Sequence, residues 1–282
     1  MPEGDTIFRA ARTLNRALAG RAVTRFDSVY PALTRVDHDA PLAGRIVEHV
    51  VSRGKHLLIA FTGDLILHTH MRMSGSWHIY RNGERWRAPA HEMRVLIGTD
   101  AYVAVAFAVP VAEFLTSEQL ARHPDIQALG PDLADPAVDL VEVRRRMAAH
   151  AAEPLHEVLL NQRVIAGIGN VLKSEVLFVA RLDPFAAAGS LTDDAFERLM
   201  KSAIRLMQMN VIESVRMTPV TGRRTTGSLD PGAKLFVYGR GGRPCRACGT
   251  PIEARKSGFD ARLTYWCPRC QCTAPSRTGD RA

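Results

Sequence analysis

The pattern of hydrophobic and polar positions changes along the chain from a β type to a helical type. Apolar residues recur at helical spacing over residues 5–18, with Gly20 just beyond, and predict an N-terminal helix. Alternating or β-branched stretches separated by Gly and Asp then predict strands at 21–29, 45–52, 56–61, 64–69, 77–80, 92–98 and 101–105. The first part of the chain is therefore predicted to be an antiparallel, two-layer β domain with one flanking helix.

Beyond Pro110 the pattern turns helical. A capped turn is predicted at 116–120, and helices are predicted at 138–150, 154–160, 171–180 and 193–209. The Gly- and Pro-rich segment 130–136 marks a stiff hinge where the composition shifts. Residues 218–232, rich in Gly, Thr and Arg, are expected to form a mobile exposed loop, and short strands are expected within 236–273. The predicted fold class is α+β with more than one domain.

Composition and charge fit an intracellular protein that binds nucleic acid. Of the 282 residues, 46% are hydrophobic and 23% are charged, which is ordinary for a globular protein. The 37 Lys and Arg residues exceed the 29 Asp and Glu residues, and the net charge of +8 is expected of a nucleic-acid binder but also of many basic proteins that bind no nucleic acid. The acidic start MPEGDT is unlike a secretory signal, and no apolar run approaches the ~20 residues that span a bilayer. We expect a soluble protein with no membrane association.

The five cysteines all lie after residue 244 and predict a local metal module. Cys245 and Cys248 form one Cys-x-x-Cys pair, and Cys267 and Cys270 form a second pair after 18 intervening residues. Two such pairs can close a tetrahedral site around one Zn²⁺, which would be structural because four thiolates leave no position for a catalytic water. The alternative is a set of buried reduced thiols. Cys272 fits neither pair and is interpreted as a spare thiol.

Basic residues surround these cysteines. They indicate either a phosphate-binding surface held in place by the zinc or a solvated basic face. The residues are Arg240, Arg243, Arg246, Arg255, Lys256, Arg262 and Arg269.

The second and third residues offer a chemistry that most chains lack. Once the initiator Met is removed, as is usual before a small residue, Pro2 carries a secondary amine at the chain terminus. An α-amino group has a reference pKa of ~7.7–8.0, so part of it is an unprotonated nucleophile near neutral pH. Attack on a sugar C1′ would displace a base and leave an iminium that permits elimination of phosphate, with Glu3 moving protons at the sugar. From the dipeptide alone, a purely structural role is the better interpretation.

Segments along nearly the whole chain resemble one family, in the right order. They are MPEGDT, SRGKHLL, HMRMSG, TSEQLARHP, LGPDLADP, LLNQRVIAGIGNVLKSE and RLTYWCPRCQ. In them the chain is similar to the formamidopyrimidine-DNA glycosylase / endonuclease VIII family, and it looks closer to the bacterial endonuclease VIII branch. The resemblance implies an N-terminal catalytic β-sandwich over residues 1–130, a helical helix–two-turns–helix DNA-binding domain over 131–235, and a zinc-finger β-hairpin within 236–282.

The resemblance also implies roles for single residues. Pro2 matches the Schiff-base nucleophile, and Glu3 matches the proton donor and acceptor beside it. Lys55 matches a lysine that contacts phosphate and is linked to β-elimination, and Arg262 matches the zinc-finger arginine of phosphate binding and δ-elimination. Asn170, in a Gly-Ile-Gly-Asn turn, matches the phosphate-binding asparagine, where glycines let the backbone approach and helix amides favour an anion.

Other residues are expected to meet the DNA around the lesion. His70 is expected either in the phosphate-binding set or as a hydrogen-bonded core histidine. Arg72 and Met73 lie where the family fills the gap left by an extruded base, although Met73 is also compatible with a core position. Two departures from the family pattern stand out. Thr6 replaces an early glutamate, and Phe107 is the aromatic candidate for a wedge in a stretch that has no arginine.

The resemblance implies a bifunctional DNA glycosylase and AP lyase of base excision repair. Such an enzyme would remove oxidised bases, pyrimidines first, from double-stranded DNA, and it would nick damaged or abasic sites by β,δ-elimination. We expect a monomer with one structural Zn²⁺, in the bacterial cytoplasm and associated with the nucleoid. The alternatives are a catalytically silent lesion-binding relative, an enzyme that prefers oxidised purines, and a zinc-ribbon accessory protein.

Overall fold

The computed structural model describes residues 2–212, 223–228, 230–258 and 261–272. The chain divides into two compact units, residues 1–129 and residues 130–282. The three-domain division, with its further boundary after residue 235, stays a prediction. Among the described residues, no helix combines the length and the apolar character needed to cross a bilayer.

The N-terminal unit begins with helix α1 (Gly4–Leu18). Its apolar residues fall on one face, and Ile7, Leu14 and Leu18 are each at most 1% exposed. The helix ends before Gly20, whose φ of 78° lies in the left-handed region that glycine adopts without strain. The predicted N-terminal helix is therefore present at the predicted place, and its buried face supplies part of the core.

Two four-stranded antiparallel sheets share that core. One sheet has the order β2 (Val47–Arg53), β3 (His56–Phe61), β4 (Leu65–His70) and β8 (Val111–Leu115). The other has the order β1 (Arg25–Ser28), β6 (Met93–Gly98), β7 (Tyr102–Phe107) and β5 (Ser76–Arg81). A single cluster of buried side chains joins residues of both sheets to α1, as in a β-sandwich. The predicted fold class is confirmed.

Two elements of this unit are not predicted by the sequence pattern. Helix α2 (Pro31–Asp39) buries only Leu33, so its sequence has no apolar stripe that would predict a helix. Strand β8 follows Pro110, where the pattern was interpreted as helical, and that interpretation is wrong for residues 111–115. Among the described residues, the strand lies at the edge of its sheet and pairs with β4 alone, which explains its half-exposed, weakly alternating sequence. The helical pattern starts after it, with α3 (Ser117–Ala121) and α4 (Pro124–Gln127).

The predicted capped turn at 116–120 is present as α3. The Thr116 side chain accepts a hydrogen bond from the Gln119 backbone, and the Gln119 side chain accepts one from the Thr116 backbone, which together form a capping box. This local signal, a Thr followed three residues later by Gln, is carried by the sequence itself.

The C-terminal unit is helical in its first part. It contains α5 (Leu140–Ala148), α6 (Leu155–Val158), α7 (Asn170–Ala180) and α8 (Asp193–Ile212). Helix α7 is buried on all sides, since every residue from Asn170 to Phe178 is shielded, and it packs against α8 and against the last strand of the chain. That strand, β10 (Arg262–Trp266), pairs antiparallel with β9 (Glu253–Ser257). A small apolar cluster places Phe178 of α7 beside Cys245 and Cys267.

The expected mobile loop at 218–232 falls partly outside the described residues, which exclude 218–222 and 229. Its described part has fixed partners. Thr225 is 2% exposed, and its backbone N–H donates to the Lys234 carbonyl at 2.9 Å. The Asn210 side chain binds both the N–H and the carbonyl of Arg224. Around Arg224 and Thr225, the chain is therefore tied to the helical unit and is not an open loop.

Candidate functional site

The two residues just before α1 are the candidate nucleophile, Pro2, and the candidate proton donor, Glu3. Pro2 is half-buried and directly precedes Glu3, the N-cap residue, whose side chain is 1% exposed and makes no capping hydrogen bond. The Glu3 carbonyl accepts the Thr6 and Ile7 amides at 2.9 and 3.0 Å. The positive end of the α1 dipole thus lies on the Pro2 side of the helix.

Thr6, the departure from the family pattern, has a partner in the structure. Its backbone N–H donates to the Asp5 carboxylate at 2.8 Å, and its hydroxyl lies 3.3 Å from the same oxygen. Asp5 is fully shielded from solvent. Position 6 therefore helps to hold a buried carboxylate in the first helical turn, where the helix dipole favours negative charge.

Lys55 lies in the two-residue turn between β2 and β3. Arg53 pairs with His56 across this turn, so Gly54 and Lys55 are its central residues. Gly54 has φ 57°, as the first central residue of a type II′ turn requires, and Lys55 then returns to the ordinary region. The turn places the half-buried Lys55 at one end of the β2–β3–β4 sheet, the same end as His70.

The loop between β4 and β5 presents the next candidates. The backbone N–H of Arg72 donates to Nδ1 of His70 at 3.1 Å, so the proton of a neutral His70 ring is on Nε2. Arg72 adopts φ 46°, and the Gly75 amide closes the turn on the Met71 carbonyl at 2.8 Å. A Cβ at Gly75 would lie 2.7 Å from that oxygen, so only glycine fits. The tight turn holds Arg72 and Met73 outward.

Exposure separates the two candidate wedge residues. The Met73 side chain is 66% exposed, and Arg72 beside it is also exposed, so the core interpretation of Met73 is wrong. Phe107 is 1% exposed and packs against the rings of His78, Tyr80 and Trp86. Phe107 is therefore a core residue and not a wedge, since a wedge must reach the base stack.

A histidine network lies beside Lys55 and His70, and the sequence analysis missed it. Nδ1 of His56 is 2.8 Å from Nε2 of His68, whose Nδ1 is 2.8 Å from Oε1 of Glu113. Nε2 of His123 lies 3.1 Å from the same oxygen. Because a carboxylate only accepts, both histidines donate to Glu113, and His56 then donates to His68. These hydrogen bonds also explain why His68, Glu113 and His123 converge closely enough to hold a cation.

Burial keeps this end of the sheet free of histidine charge. Burial lowers the pKa of His56 to about 3, and the neighbouring His68, His70, His123 and Lys55 lower it further. Burial also lowers the pKa of His70 to about 4, followed by the charge of Arg72. At neutral pH both rings are uncharged, so the His70 Nε2–H is a neutral donor. The three histidines, His56, His68 and His70, are visible in the sequence. Only the register of β3 against β4 shows that they lie close together.

In the C-terminal unit, Asn170 is the first residue of α7 and is 6% exposed. Its Oδ1 accepts a hydrogen bond from Nζ of Lys173 at 2.7 Å, and the same Nζ donates to Oγ1 of Thr264 at 2.8 Å. Lys173 and Thr264 are fully buried. Sequence reasoning missed Lys173, because a lysine on a helix is usually a solvated residue.

Glu175 anchors the segment that leads into the cysteine module. Its carboxylate accepts the backbone amides of Phe236, Val237 and Tyr238, each at 2.8 Å, and also the hydroxyl of Thr225. Because the Glu175 carboxyl group is fully buried, these donors replace the water it has lost. Helix α7 thus holds both ends of the module, one through Lys173 and one through Glu175.

The four cysteines form a zinc site. Sγ of Cys245 and Cys270 are 4.0 Å apart, Sγ of Cys248 and Cys267 are 3.5 Å apart, and all four lie within 4.8 Å of one another. A tetrahedral ion with ~2.3 Å Zn–S bonds requires separations of about 3.8 Å, so the set fits. Burial raises the pKa of the Cys267 and Cys270 thiols, and a divalent cation reverses that effect by holding thiolates. The protein binds one structural Zn²⁺ here.

Cys272 is exposed and takes no part in this site. Its thiol lies 3.4 Å from the Arg269 carbonyl, as expected for a spare thiol.

The basic residues around the zinc site serve two different purposes. Arg240 donates to the Phe236 and Pro244 carbonyls, and Arg246 donates to those of Leu235 and Gly232, so both stabilise the local fold. Four others are exposed, and Arg255 among them also stacks 3.8 Å from the centre of the Phe185 ring; the four are Arg243, Arg255, Lys256 and Arg269. These exposed side chains remain candidates for phosphate binding.

Arg262 begins β10 and is half-buried. It lies two positions before Thr264, so both side chains project from the same face of the strand. Because Thr264 meets Lys173, that face is the one that packs towards α7. The structure thus brings Arg262 and Asn170 to one region of the C-terminal unit, whereas Pro2, Glu3, Lys55, His70, Arg72 and Met73 belong to the N-terminal unit.

Family models match most of the chain. They are the formamidopyrimidine-DNA glycosylase N-terminal domain over residues 1–110, the formamidopyrimidine-DNA glycosylase H2TH domain over 129–219, and the zinc finger found in FPG and IleRS over 242–271. The order is that of the β-sandwich, the helical segment and the cysteine module.

Similar curated proteins are bacterial. A probable endonuclease 8 2 of Streptomyces coelicolor is 43% identical, with 100% of this chain and 98% of that protein covered. The DNA-(apurinic or apyrimidinic site) lyase Nei2 of Mycolicibacterium smegmatis is 39% identical, covering 96% and 99%. Endonuclease 8 of Escherichia coli is 32% identical, covering 96% and 100%.

Solved structures share the fold. A complex of Lactococcus lactis Fpg with abasic-site DNA superposes with a TM-score of 0.79 at 22% identity, covering 96% of this chain and 100% of that one. MutM bound to DNA containing carbocyclic 8-oxo-G gives 0.79 at 23%, covering 96% and 100%. The chain therefore belongs to the formamidopyrimidine-DNA glycosylase / endonuclease VIII family, whose members are bifunctional DNA glycosylases and AP lyases of base excision repair.

Proposed function

We propose that Pro2 is the nucleophile with which this protein excises oxidised bases, pyrimidines first, from double-stranded DNA. The observation that carries this proposal is the geometry at α1, where Pro2 precedes the helix beside the buried Glu3 carboxylate. The preference for pyrimidines rests on the resemblance to the endonuclease VIII branch, and relatives named endonuclease 8 support that branch.

The proposed reaction starts with the neutral amine of Pro2. Its lone pair attacks C1′, the glycosidic bond breaks, and the electron pair leaves with the base, which takes up the proton that the Pro2 nitrogen gives up. The C1′–O4′ bond then opens, and Glu3 donates a proton to the ring oxygen O4′. This leaves an iminium between Pro2 and C1′. Loss of a C2′ proton then expels the 3′ phosphate, loss of a further proton expels the 5′ phosphate, and water finally releases the amine.

Phosphate contacts from both units would support these steps. We assign Lys55, in its turn beside His70, to the phosphate that departs in β-elimination. His70 contributes the neutral Nε2–H that its bond to Arg72 leaves available. Asn170 at the N-terminus of α7 and Arg262 on β10 are assigned to phosphate as well, with Arg262 linked to δ-elimination. In this scheme zinc provides no chemistry, and it only holds the hairpin that presents Arg262.

The exposed turn between β4 and β5 is assigned to the duplex. A base that is rotated out of the stack leaves a gap whose neighbours lose stacking energy. Met73, apolar and exposed on a tight turn, has the character of a filler, and Arg72 beside it can meet phosphate or the unpaired base.

Borohydride trapping on a duplex with one abasic site tests the nucleophile. Borohydride reduces an iminium to a stable amine, so the wild type should give a covalent adduct and Pro2→Gly should give little. An uncleavable N-terminal tag should have the same effect, whereas a catalytically silent lesion binder would be indifferent to it. No adduct from a folded, zinc-loaded, Met-processed wild type would contradict the catalytic proposal.

Competition between lesions tests the substrate class. Duplexes that carry thymine glycol, an oxidised pyrimidine, should be cut faster than duplexes that carry 8-oxoguanine, and the reverse order would favour the oxidised-purine alternative.

We further propose that the protein acts as a monomer in the bacterial cytoplasm, associated with the nucleoid, where its substrate lies.

A further inference from the structure

The amide of Asn170 has a partner that fixes which way it faces. Lysine Nζ carries three donors and no acceptor, so the Asn170 atom 2.7 Å from it must be the carboxamide oxygen. The Nδ2 group, with its two N–H donors, is then directed away from Lys173. A phosphate oxygen can only accept, so it requires this orientation and would repel the opposite one.

Lys173 is itself unusual. It is 0% exposed, although lysine is rarely fully buried without partners. Its ammonium also donates to Oγ1 of Thr264 at 2.8 Å, and that residue is 91 positions away on β10. A cation close to the amide oxygen polarises the carboxamide and strengthens the donors on its other side.

The same ammonium connects two candidate phosphate-binding groups. Asn170 is on α7, and Arg262 lies two residues before Thr264 on the same face of β10. A second contact between α7 and β10 joins the Tyr265 amide to Oγ of Ser174 at 3.5 Å. Lys173, which orients Asn170, therefore also contacts the β9–β10 hairpin and helps to fix its position on α7.

We propose that Lys173 is a positioning residue for DNA binding, which orients the Asn170 carboxamide towards phosphate. The proposal rests on the proposed role of Asn170 in phosphate binding. Lys173 does not touch DNA in this scheme, and it acts through Asn170.

A double-mutant cycle tests the proposal. Binding to a duplex that carries tetrahydrofuran, an abasic analogue resistant to the lyase, is measured by fluorescence anisotropy. Asn170→Ala should weaken binding about tenfold or more, since a hydrogen bond to a charged group is lost, and Lys173→Met should weaken it by a similar factor. The double variant should bind no more weakly than Asn170→Ala, within about twofold. Lys201→Met, at an exposed lysine of α8, removes the same charge and should bind like the wild type.

Asn170→Asp provides a test that leaves Lys173 in place, in case Lys173→Met fails to fold. Aspartate still accepts from Lys173, so thermal unfolding and zinc content should match the wild type. It offers no donor and adds a negative charge, so DNA binding should fall at least as far as in Asn170→Ala. A strongly destabilised Asn170→Asp would mean that the amide nitrogen donates to an acceptor within the fold and is not the donor for phosphate, and would overturn the proposal.

The remaining outcomes separate the inference from the function beneath it. If Asn170→Ala weakens binding while Lys173→Met does not, or if the two effects multiply, Lys173 does not act through Asn170 and the proposal is wrong. If Asn170→Ala binds like the wild type, the assigned phosphate role of Asn170 fails as well. Trapping of Pro2 would be unaffected by any of these results, so the catalytic proposal would still stand.

Discussion

Acid should destabilise the N-terminal unit through His56. The folded protein keeps this ring neutral down to about pH 3, because it is 8% exposed and surrounded by histidines and Lys55. An unfolded chain takes up the proton near pH ~6.5. Between these two values only the unfolded state gains a proton, so falling pH favours unfolding, and above the upper value the contribution is constant.

The magnitude follows from that difference. Between about pH 7 and about pH 5, one histidine that is protonated only when unfolded removes roughly 2 kcal/mol of stability, since each pKa unit is worth about 1.4 kcal/mol. His70, whose pKa is lowered to about 4, acts in the same direction. Replacing His56 with Gln should therefore remove about 2 kcal/mol of the acid sensitivity, whatever its cost at neutral pH.

Urea unfolding at several pH values, followed by tryptophan fluorescence, measures this effect. A Trp266→Phe background leaves Trp77 and Trp86, which both belong to the N-terminal unit, so loss of zinc from the other unit does not enter the signal. Trp77 is a local reporter, because its indole donates to Oγ1 of Thr69, next to His68 and His70. His49→Gln, at an exposed histidine of β2, is the matched control and should keep the wild-type acid sensitivity. Equal pH slopes for the wild type and His56→Gln would refute the reasoning.

Three further outcomes test other parts of the structure. Met73→Ala should leave stability within about 0.5 kcal/mol, since the side chain is 66% exposed, yet weaken binding to abasic duplex about tenfold; unchanged binding would contradict the gap-filling role. Gly75→Ala should cost about 1–3 kcal/mol in chemical unfolding, because its Cβ would lie 2.7 Å from the Met71 carbonyl, and a neutral result would mean that the turn relaxes freely. Cys267→Ser should abolish the one equivalent of zinc and with it the DNA affinity, whereas Cys272→Ser should keep both, as checked by metal analysis and anisotropy; full DNA affinity without zinc would show that the hairpin does not need the ion.

The sequence by itself determined whatever depends on local spacing. Strand β3 lies at the predicted residues, because a short apolar run bounded by turn residues needs no distant information. The zinc site was equally predictable, because two Cys-x-x-Cys pairs indicate a four-cysteine zinc site whatever residues surround them. The Gly-Ile-Gly-Asn and Gly-Lys motifs likewise located Asn170 and the turn at Gly54 and Lys55 in the sequence.

Only the tertiary structure decided which distant side chains meet. Lys173 and Thr264 are 91 residues apart, and His68 and Glu113 are 45 apart, so no periodicity links them. The same holds for exposure: Met73 and Phe107 are both apolar, yet a tight turn exposes one and sheet packing buries the other. Local patterns set the backbone of an element. The partner of a polar side chain, and therefore its protonation and orientation, depends on contacts that form only when the elements pack.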